Sequence, residues 1–310
     1  MSEGEREFLV GDNPFHGISH LSQERSRGRT EDPTDSELAA DLICLSLDSG
    51  ATGFMFSVSE TTLSILNALI DRGRIGDANL YAIVPYAYEY VRAASQHGGL
   101  PDLAKKLSWE LLASRSVGAM GNGLRGILSG DLVSLMKAYL AYEIRRIDVA
   151  TGKRFRPKSV LLHEVITDMA LALDLEWLFR AHVKFLTDRK ITPGFNTCNF
   201  AYLIEKLRTW NLDLSKVLIA APFNKIGFQM NPSRAACERA LETLEEPILI
   251  AISVLAAGFL KPAEAIEYVA SLSNVKGVAV GVSKKSQASE TFRCLREKLP
   301  SRIVGEKNRT

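Results

Sequence analysis

The sequence predicts an α/β fold, a closed (β/α)8 TIM barrel with a helical insertion between strands three and four, and three observations carry that prediction. Eight short aliphatic or β-branched runs occur along the 310 residues, each followed by a helical pattern, and eight is the number that closes a barrel. The runs are almost continuously apolar, which means burial on both faces, as in parallel sheets covered by helices. The turn after the first run, Gly11-Asp-Asn-Pro-Phe-His-Gly17, is not the glycine-rich phosphate turn that an open doubly wound sheet carries.

The first strand covers Phe8 to Val10 and is stopped by Pro14, which lacks an amide proton. The others cover Gly53–Val58, Leu80–Val84, Ser159–Val165, Ile191–Phe195, Lys216–Ala221, Pro247–Val254 and Val275–Val280. Pro193 and Gly194 weaken the fifth. Between them, Thr34-Asp-Ser-Glu37 reads as a capping box, with Leu38, Leu42 and Leu45 on one helix face. Ser59-Glu-Thr-Thr62 opens the next helix and Gly73 follows it. Helices are further predicted over Asp168–Leu186, Asn199–Trp210, Pro232–Leu244, Pro262–Leu272 and Ser286–Leu299, two of them with proline near the start.

Residues 98–157 exceed one crossover and read as a helical insertion in a single domain, 1–310. Its helices are Pro101–Leu112 and Asp131–Ile147, joined by the glycine-rich stretch 118–130. Glycines permit hinge dihedrals, so this segment reads either as a lid or as a plain helical hairpin with a loose connector.

Composition bounds the function. With 38 basic and 36 acidic residues and a net charge of +2, no global field points to nucleic acid. Cys44, Cys198, Cys237 and Cys294 form no CxxC pair, so neither a zinc ribbon nor a small disulfide scaffold is indicated, and a reduced cytoplasmic setting is expected. The charged start Met-Ser-Glu-Gly-Glu-Arg-Glu7 is no secretory signal, and no apolar run approaches the ~20 residues of a membrane helix. The expected partner is a small molecule; oligomeric state is open.

Active sites of this fold lie at the C-terminal ends of the strands. That rim gathers Asp12, Asn13, His16 and His20 from strand one, Ser57, Ser59 and Glu60 from two, and Tyr86 and Tyr88 from three. His163 and Glu164 come from four, Asn196, Cys198 and Asn199 from five, Asn224 and Lys225 from six, Ser253 from seven, and Ser283 to Ser286 from eight. His163 interrupts an aliphatic strand. Strand alternation would put His163 and Glu164 on opposite faces, so only one of them is expected inside the rim. A histidine there donates to a carbonyl oxygen, relays a proton or ligates a metal; a satisfied core histidine is the bland alternative.

Asp12 and His16 would join His163 as an acid/base or divalent-metal set, although Asp12-Asn-Pro14 also suits a plain turn. Lys225 reads as a solvated loop lysine rather than a Schiff-base group, and Cys198 as an inert buried thiol rather than a nucleophile. Gly281-Val-Ser-Lys-Lys-Ser286 runs from strand eight into a helix N-terminus, and Gly258 follows strand seven. Gly258, Gly281, Ser283, Lys284, Lys285 and Ser286 therefore form a candidate phosphate site; a capped helix with two solvated lysines is the alternative.

Several segments resemble the aldo/keto reductase barrel: Pro222-Phe-Asn224 after strand six, Ile252-Ser-Val-Leu-Ala-Ala-Gly-Phe-Leu260 at strand seven, and Gly281-Val-Ser-Lys-Lys-Ser-Gln-Ala-Ser-Glu290 leading to Phe292. His163 matches the family's catalytic histidine. The resemblance implies a common barrel and an NADP phosphate pocket. It covers the second half of the chain. The family's aspartate and tyrosine after strand two and lysine on strand three find no counterpart in Phe56-Ser-Val-Ser-Glu60 or Tyr81-Ala-Ile-Val-Pro85, so three of four catalytic positions are absent. Tyr86 or Tyr88 would have to supply the proton donor.

Two functions follow as expectations. The first is an enzyme acting on a small anionic or phosphorylated carbonyl metabolite through His163, Asp12 and His16, in lyase or isomerase chemistry, with or without a metal. The second is a divergent NADP-dependent oxidoreductase with a rebuilt proton donor. A non-catalytic metabolite-binding barrel is the third reading.

Overall fold

A computed structural model describes residues 6–16, 35–85, 132–244 and 248–299 of the chain. His20, Tyr86, Tyr88, the 101–112 helix and the glycine-rich stretch 118–130 lie outside the described residues.

Eight parallel strands close into a barrel in sequence order: β1 Glu7–Gly11, β2 Gly53–Ser57, β3 Asn79–Val84, β4 Ser159–Leu162, β5 Thr192–Asn196, β6 Leu218–Pro222, β7 Ile248–Ile252 and β8 Val275–Gly281. The ring is sealed where β8 pairs with β1, Phe8 opposite Val278 and Val10 opposite Val280. Around it lie α1 Ser36–Asp48, α2 Glu60–Asp71, α3 Leu132–Ala150, α4 Glu164–Ala172, α5 Glu176–Thr187, α6 Phe200–Thr209, α7 Arg234–Glu242, α8 Pro262–Ser271 and α9 Lys285–Lys298.

Strand alternation separates two apolar layers. Leu9, Met55, Tyr81, Leu161, Leu218, Ile250 and Ala279 fill the barrel interior. Their chain neighbours Phe8, Phe54, Phe56, Val160 and Ile219 face outward onto the helices. Each large side chain so buried is worth roughly 1.5–3 kcal/mol against exposure. The interior also accounts for Gly194 on β5, because a Cβ there would lie 2.5 Å from Leu161 Cγ. At the N-terminal end, the buried Glu7 carboxylate pairs with Lys158 and accepts from Thr52 Oγ1 at 2.7 Å and Asn79 Nδ2 at 3.2 Å.

Four local expectations need correction. The first helix is capped by Asp35, whose carboxylate accepts from the Glu37 amide, one residue later than the predicted capping box begins. The stretch Asp168–Leu186 is two helices, because the chain turns at Asp174, which adopts φ +54°. The helix assigned to the second half of the insertion, α3, packs between α2 and α5 and so takes a place in the barrel's helical ring. Its buried Glu143 is held by Tyr139 Oη at 2.6 Å and Arg146, and Arg146 reaches across to Glu60 on α2. Finally, β4 ends at Leu162, before His163.

Candidate active site

A cavity of about 440 Å³ opens among the strand C-termini, and described residues from every strand or the loop after it line it, the β6 side being represented by Phe228 and Gln229 of the following loop. Of the rim residues expected from sequence, Asp12, Asn13, Ser57, His163, Glu164, Asn196, Ser253 and Ser283 line it. Ser57 and Ile83 stand on the strands where the reductase pattern has aspartate and lysine.

The geometry expected of His163 is overturned in one respect. His163 is the N-cap of α4, with φ −60° and ψ 145°, and Glu164 is the first helical residue. Strand alternation therefore does not apply across this pair, and both line the cavity. The His163 ring Nδ1 accepts a hydrogen bond from the Val165 amide at 3.2 Å. That bond fixes the neutral tautomer, leaving the ring N–H at Nε2. Burial pushes the His163 pKa down, with the Asp12 carboxylate partly offsetting it, so the imidazole is neutral near pH 7.

Glu164 moves the other way. Burial, reinforced by the like charge of Asp168 one turn along α4, pushes its pKa up, while a hydrogen bond from Asn196 Nδ2 at 3.3 Å draws it down. Asp168 is itself raised by burial, against hydrogen bonds from Thr197 Oγ1 and, at 3.1 Å, the Cys198 amide. Two adjacent residues thus carry opposite shifts at one cavity wall.

Asp12 is buried, and its Oδ2 accepts from the Ser57 amide at 2.6 Å and contacts His16 Nε2 at 3.1 Å. The single 3-10 turn Asn13–His16, which contains Pro14, brings His16 back onto Asp12. The same carboxylate oxygen serves both contacts. The expected metal set of Asp12, His16 and His163 does not assemble: among the described residues no three His, Cys, Asp or Glu side chains group to hold an ion.

The predicted phosphate site is only partly gathered. Gly258 (φ +89°), Gly281 and Ser283 line the cavity, whereas Lys284, Lys285 and Ser286 do not. A Cβ on Gly281 would lie 2.7 Å from Pro14 Cδ and Cγ, so this glycine admits the β1 loop rather than an anion. The Ser283 amide already donates to Gln287 Oε1 at 3.1 Å. These features do not fit a dinucleotide phosphate cradle. Among the described lining residues the charged side chains are Asp12 and Glu164, with no lysine or arginine, which also removes support for an anionic substrate. After β7, Ser253, Ala256 and Ala257 all adopt positive φ, an arrangement that costs free energy and accumulates at functional sites.

Other candidates fall to their bland alternatives. Lys225 is solvated and pairs with Glu264 at 2.7 Å. Asn224 holds its own loop through both backbone groups of Phe228. The Cys198 thiol is pushed up to about 12 by burial and by Glu164 and Asp168, so it is no nucleophile. Sequence reasoning missed Asp168, Gln229 and Gln287; the Glu164–Asp168 spacing of one helical turn is the available signal for the first.

No protein-family model matches the sequence, and no curated protein does. Solved structures do match. Two, each described as a "putative aldo-keto reductase" from Pseudomonas aeruginosa, share 12% identity with this chain. One covers 86% of this chain and 84% of its own, with a TM-score of 0.55. The other covers 94% and 90%, with a TM-score of 0.60. At that identity the likeness concerns architecture. The chain has a closed (β/α)8 barrel fold, the architecture it shares with these two structures.

Proposed function

We propose that this barrel is an enzyme that removes a proton from the carbon beside a carbonyl group, the first step of isomerase- and lyase-type reactions. One observation carries the reading: His163 and Glu164 line the same cavity wall with pKa values pushed in opposite directions. Glu164, raised by burial, is a stronger base than an ordinary carboxylate, and Asn196 orients it. His163, held neutral with its proton on Nε2, is an electrophile for the carbonyl oxygen. In the step, a Glu164 oxygen takes the α-proton and the C–H electron pair forms the new C=C bond. The carbonyl π pair moves to oxygen, where the His163 N–H stabilises the developing enolate. Returning the proton to the α-carbon completes exchange; for isomerisation the α-hydroxyl passes its proton to the enolate oxygen and becomes the new carbonyl as the former carbonyl carbon takes the proton from Glu164.

The test is deuterium exchange. In D2O, the protein is expected to incorporate deuterium at the α-carbon of hydroxyacetone or glyceraldehyde, and Glu164→Gln to abolish the incorporation. Exchange that is absent, or undiminished in Glu164→Gln, overturns the reading.

A second reading, NADP-dependent reduction, is favoured by the fold shared with the two Pseudomonas structures. In it a bound NADPH would be the hydride source, and His163 would polarise the carbonyl as before. The lack of a cradle around Gly281 and Ser283 weighs against it. A rise in melting temperature on adding NADPH supports it, and no shift at saturating NADPH removes it.

A further inference from the structure

Asn196 ends β5 with its side chain on the cavity wall, and it is 5% exposed. Its Nδ2 is turned to Glu164 Oε2, as an amide beside a carboxylate must be, since the opposite flip would set oxygen against oxygen. The Oδ1 is left buried, with no donor among the described residues. Native proteins rarely leave such an acceptor unmet, because it has lost water and gained nothing in exchange. Tyr81, Asp148 and His182 also hold a buried side-chain atom without a hydrogen-bond partner among the described residues, but none of the three lines the cavity.

Resting on the proton-abstraction reading, we infer that the substrate is a hydroxy-carbonyl compound without negative charge, and that Asn196 Oδ1 accepts a hydrogen bond from the hydroxyl on the carbon that loses its proton. The position follows from Glu164: the amide that touches the base lies beside the carbon the base attacks. The absence of negative charge follows from the wall, whose described charged members are the two carboxylates. Ser57, Ser253, Gln229 and Gln287 add neutral hydroxyl and amide groups suited to further hydroxyls. Asn196 is therefore a specificity-determining residue, whose loss weakens recognition of one hydroxyl.

The matched probes are acetone, hydroxyacetone, dihydroxyacetone and dihydroxyacetone phosphate, titrated into the full chain and followed by ligand-observed NMR. The wild type is expected to bind hydroxyacetone at least about tenfold more tightly than acetone, since a site built around a hydroxyl rejects the analogue lacking it. Asn196→Ala, with folding checked by its melting curve, is expected to bind the two alike. Dihydroxyacetone is expected to bind no more weakly than its phosphate. Equal wild-type affinity for acetone and hydroxyacetone, or binding of neither, overturns the inference without any variant. A preference that survives in folded Asn196→Ala, or a tenfold preference for the phosphate, also overturns it. Binding is read separately from exchange. A hydroxyl preference lost in Asn196→Ala while Glu164→Gln still exchanges would sink the proton-abstraction reading alone. Exchange without hydroxyl preference would sink the Asn196 assignment alone.

Discussion

The Asp12 carboxylate accepts a 2.6 Å hydrogen bond from the amide of Ser57, tying the loop after β1 to the end of the neighbouring β2 at the cavity wall. The residue that most resembles a turn-forming aspartate thus bonds a neighbouring strand. Its second contact, His16, makes the loop after β1 part of the same unit. The unit sets where Asp12 stands relative to His163, whose imidazole feels its charge.

Removing that carboxylate should therefore cost stability as well as activity. Asp12→Ala leaves the buried Ser57 amide unmet, a loss of about 1–3 kcal/mol, and Asp12→Asn, which keeps an acceptor, should lose less. Chemical denaturation of the two variants checks the order. Equal losses would show that the Ser57 bond is not what Asp12 contributes.

Gly281 offers a steric test of the seam between β8 and the β1 loop. In Gly281→Ala the new methyl would lie 2.7 Å from two ring carbons of Pro14. A proline ring cannot rotate aside, so the loop carrying Asp12 must shift. Overpacking of this kind costs roughly 1–3 kcal/mol. A lowered melting temperature together with reduced exchange is expected. Gly73→Ala, where nothing lies within 4 Å but φ is +68°, provides a strain-only comparison distant from the cavity lining.

The barrel is legible in the sequence because its strands are buried on both faces, so Phe54-Met-Phe56 or Leu218-Ile-Ala-Ala221 reads as strand without tertiary knowledge. The site is less legible because it depends on where strands stop. Val160-Leu-Leu-His-Glu-Val165 looks like one strand in sequence, yet the chain turns at His163 because that side chain can cap the following helix. The one-residue difference converts Glu164 from an outward-facing residue into a wall of the cavity. The break at Asp174 is hidden for a similar reason: Leu173-Asp-Leu175 carries neither glycine nor proline. Gly281 misleads because a glycine admitting a proline ring and one admitting a phosphate are identical in sequence.

Cys198 separates proximity from reactivity. It lies beside Glu164 and Asp168, and those charges together with burial hold its thiol protonated far above neutral pH. Iodoacetamide at pH 8 should leave Cys198 unmodified as judged by peptide mass spectrometry, and Cys198→Ala should retain exchange. Rapid alkylation of Cys198 at that pH would contradict the burial that also raises Glu164.

The opposed shifts of Glu164 and His163 predict two opposite pH effects on stability. Glu164 has a folded-state pKa above its unfolded value, so between the two the native state holds the proton more tightly. Its contribution to stability is present below the unfolded value and is lost as pH rises through the folded one. Glu164→Gln removes that loss, so its melting temperature relative to wild type should rise with pH across this window. His163 has a folded-state pKa below its unfolded value of about 6.5. As pH falls below 6.5 the unfolded chain takes the proton first, and stability declines until the folded value is passed. His163→Gln should flatten that decline. Activity adds the kinetic counterpart: exchange requires ionised Glu164, so its rate should climb with pH through a value above that of an ordinary carboxylate. Melting curves and exchange rates recorded across the same pH series should place the rise in rate and the Glu164-dependent loss of stability in one window, because a single proton governs both. A rate that climbs in a different window from the stability change would assign the base to another group.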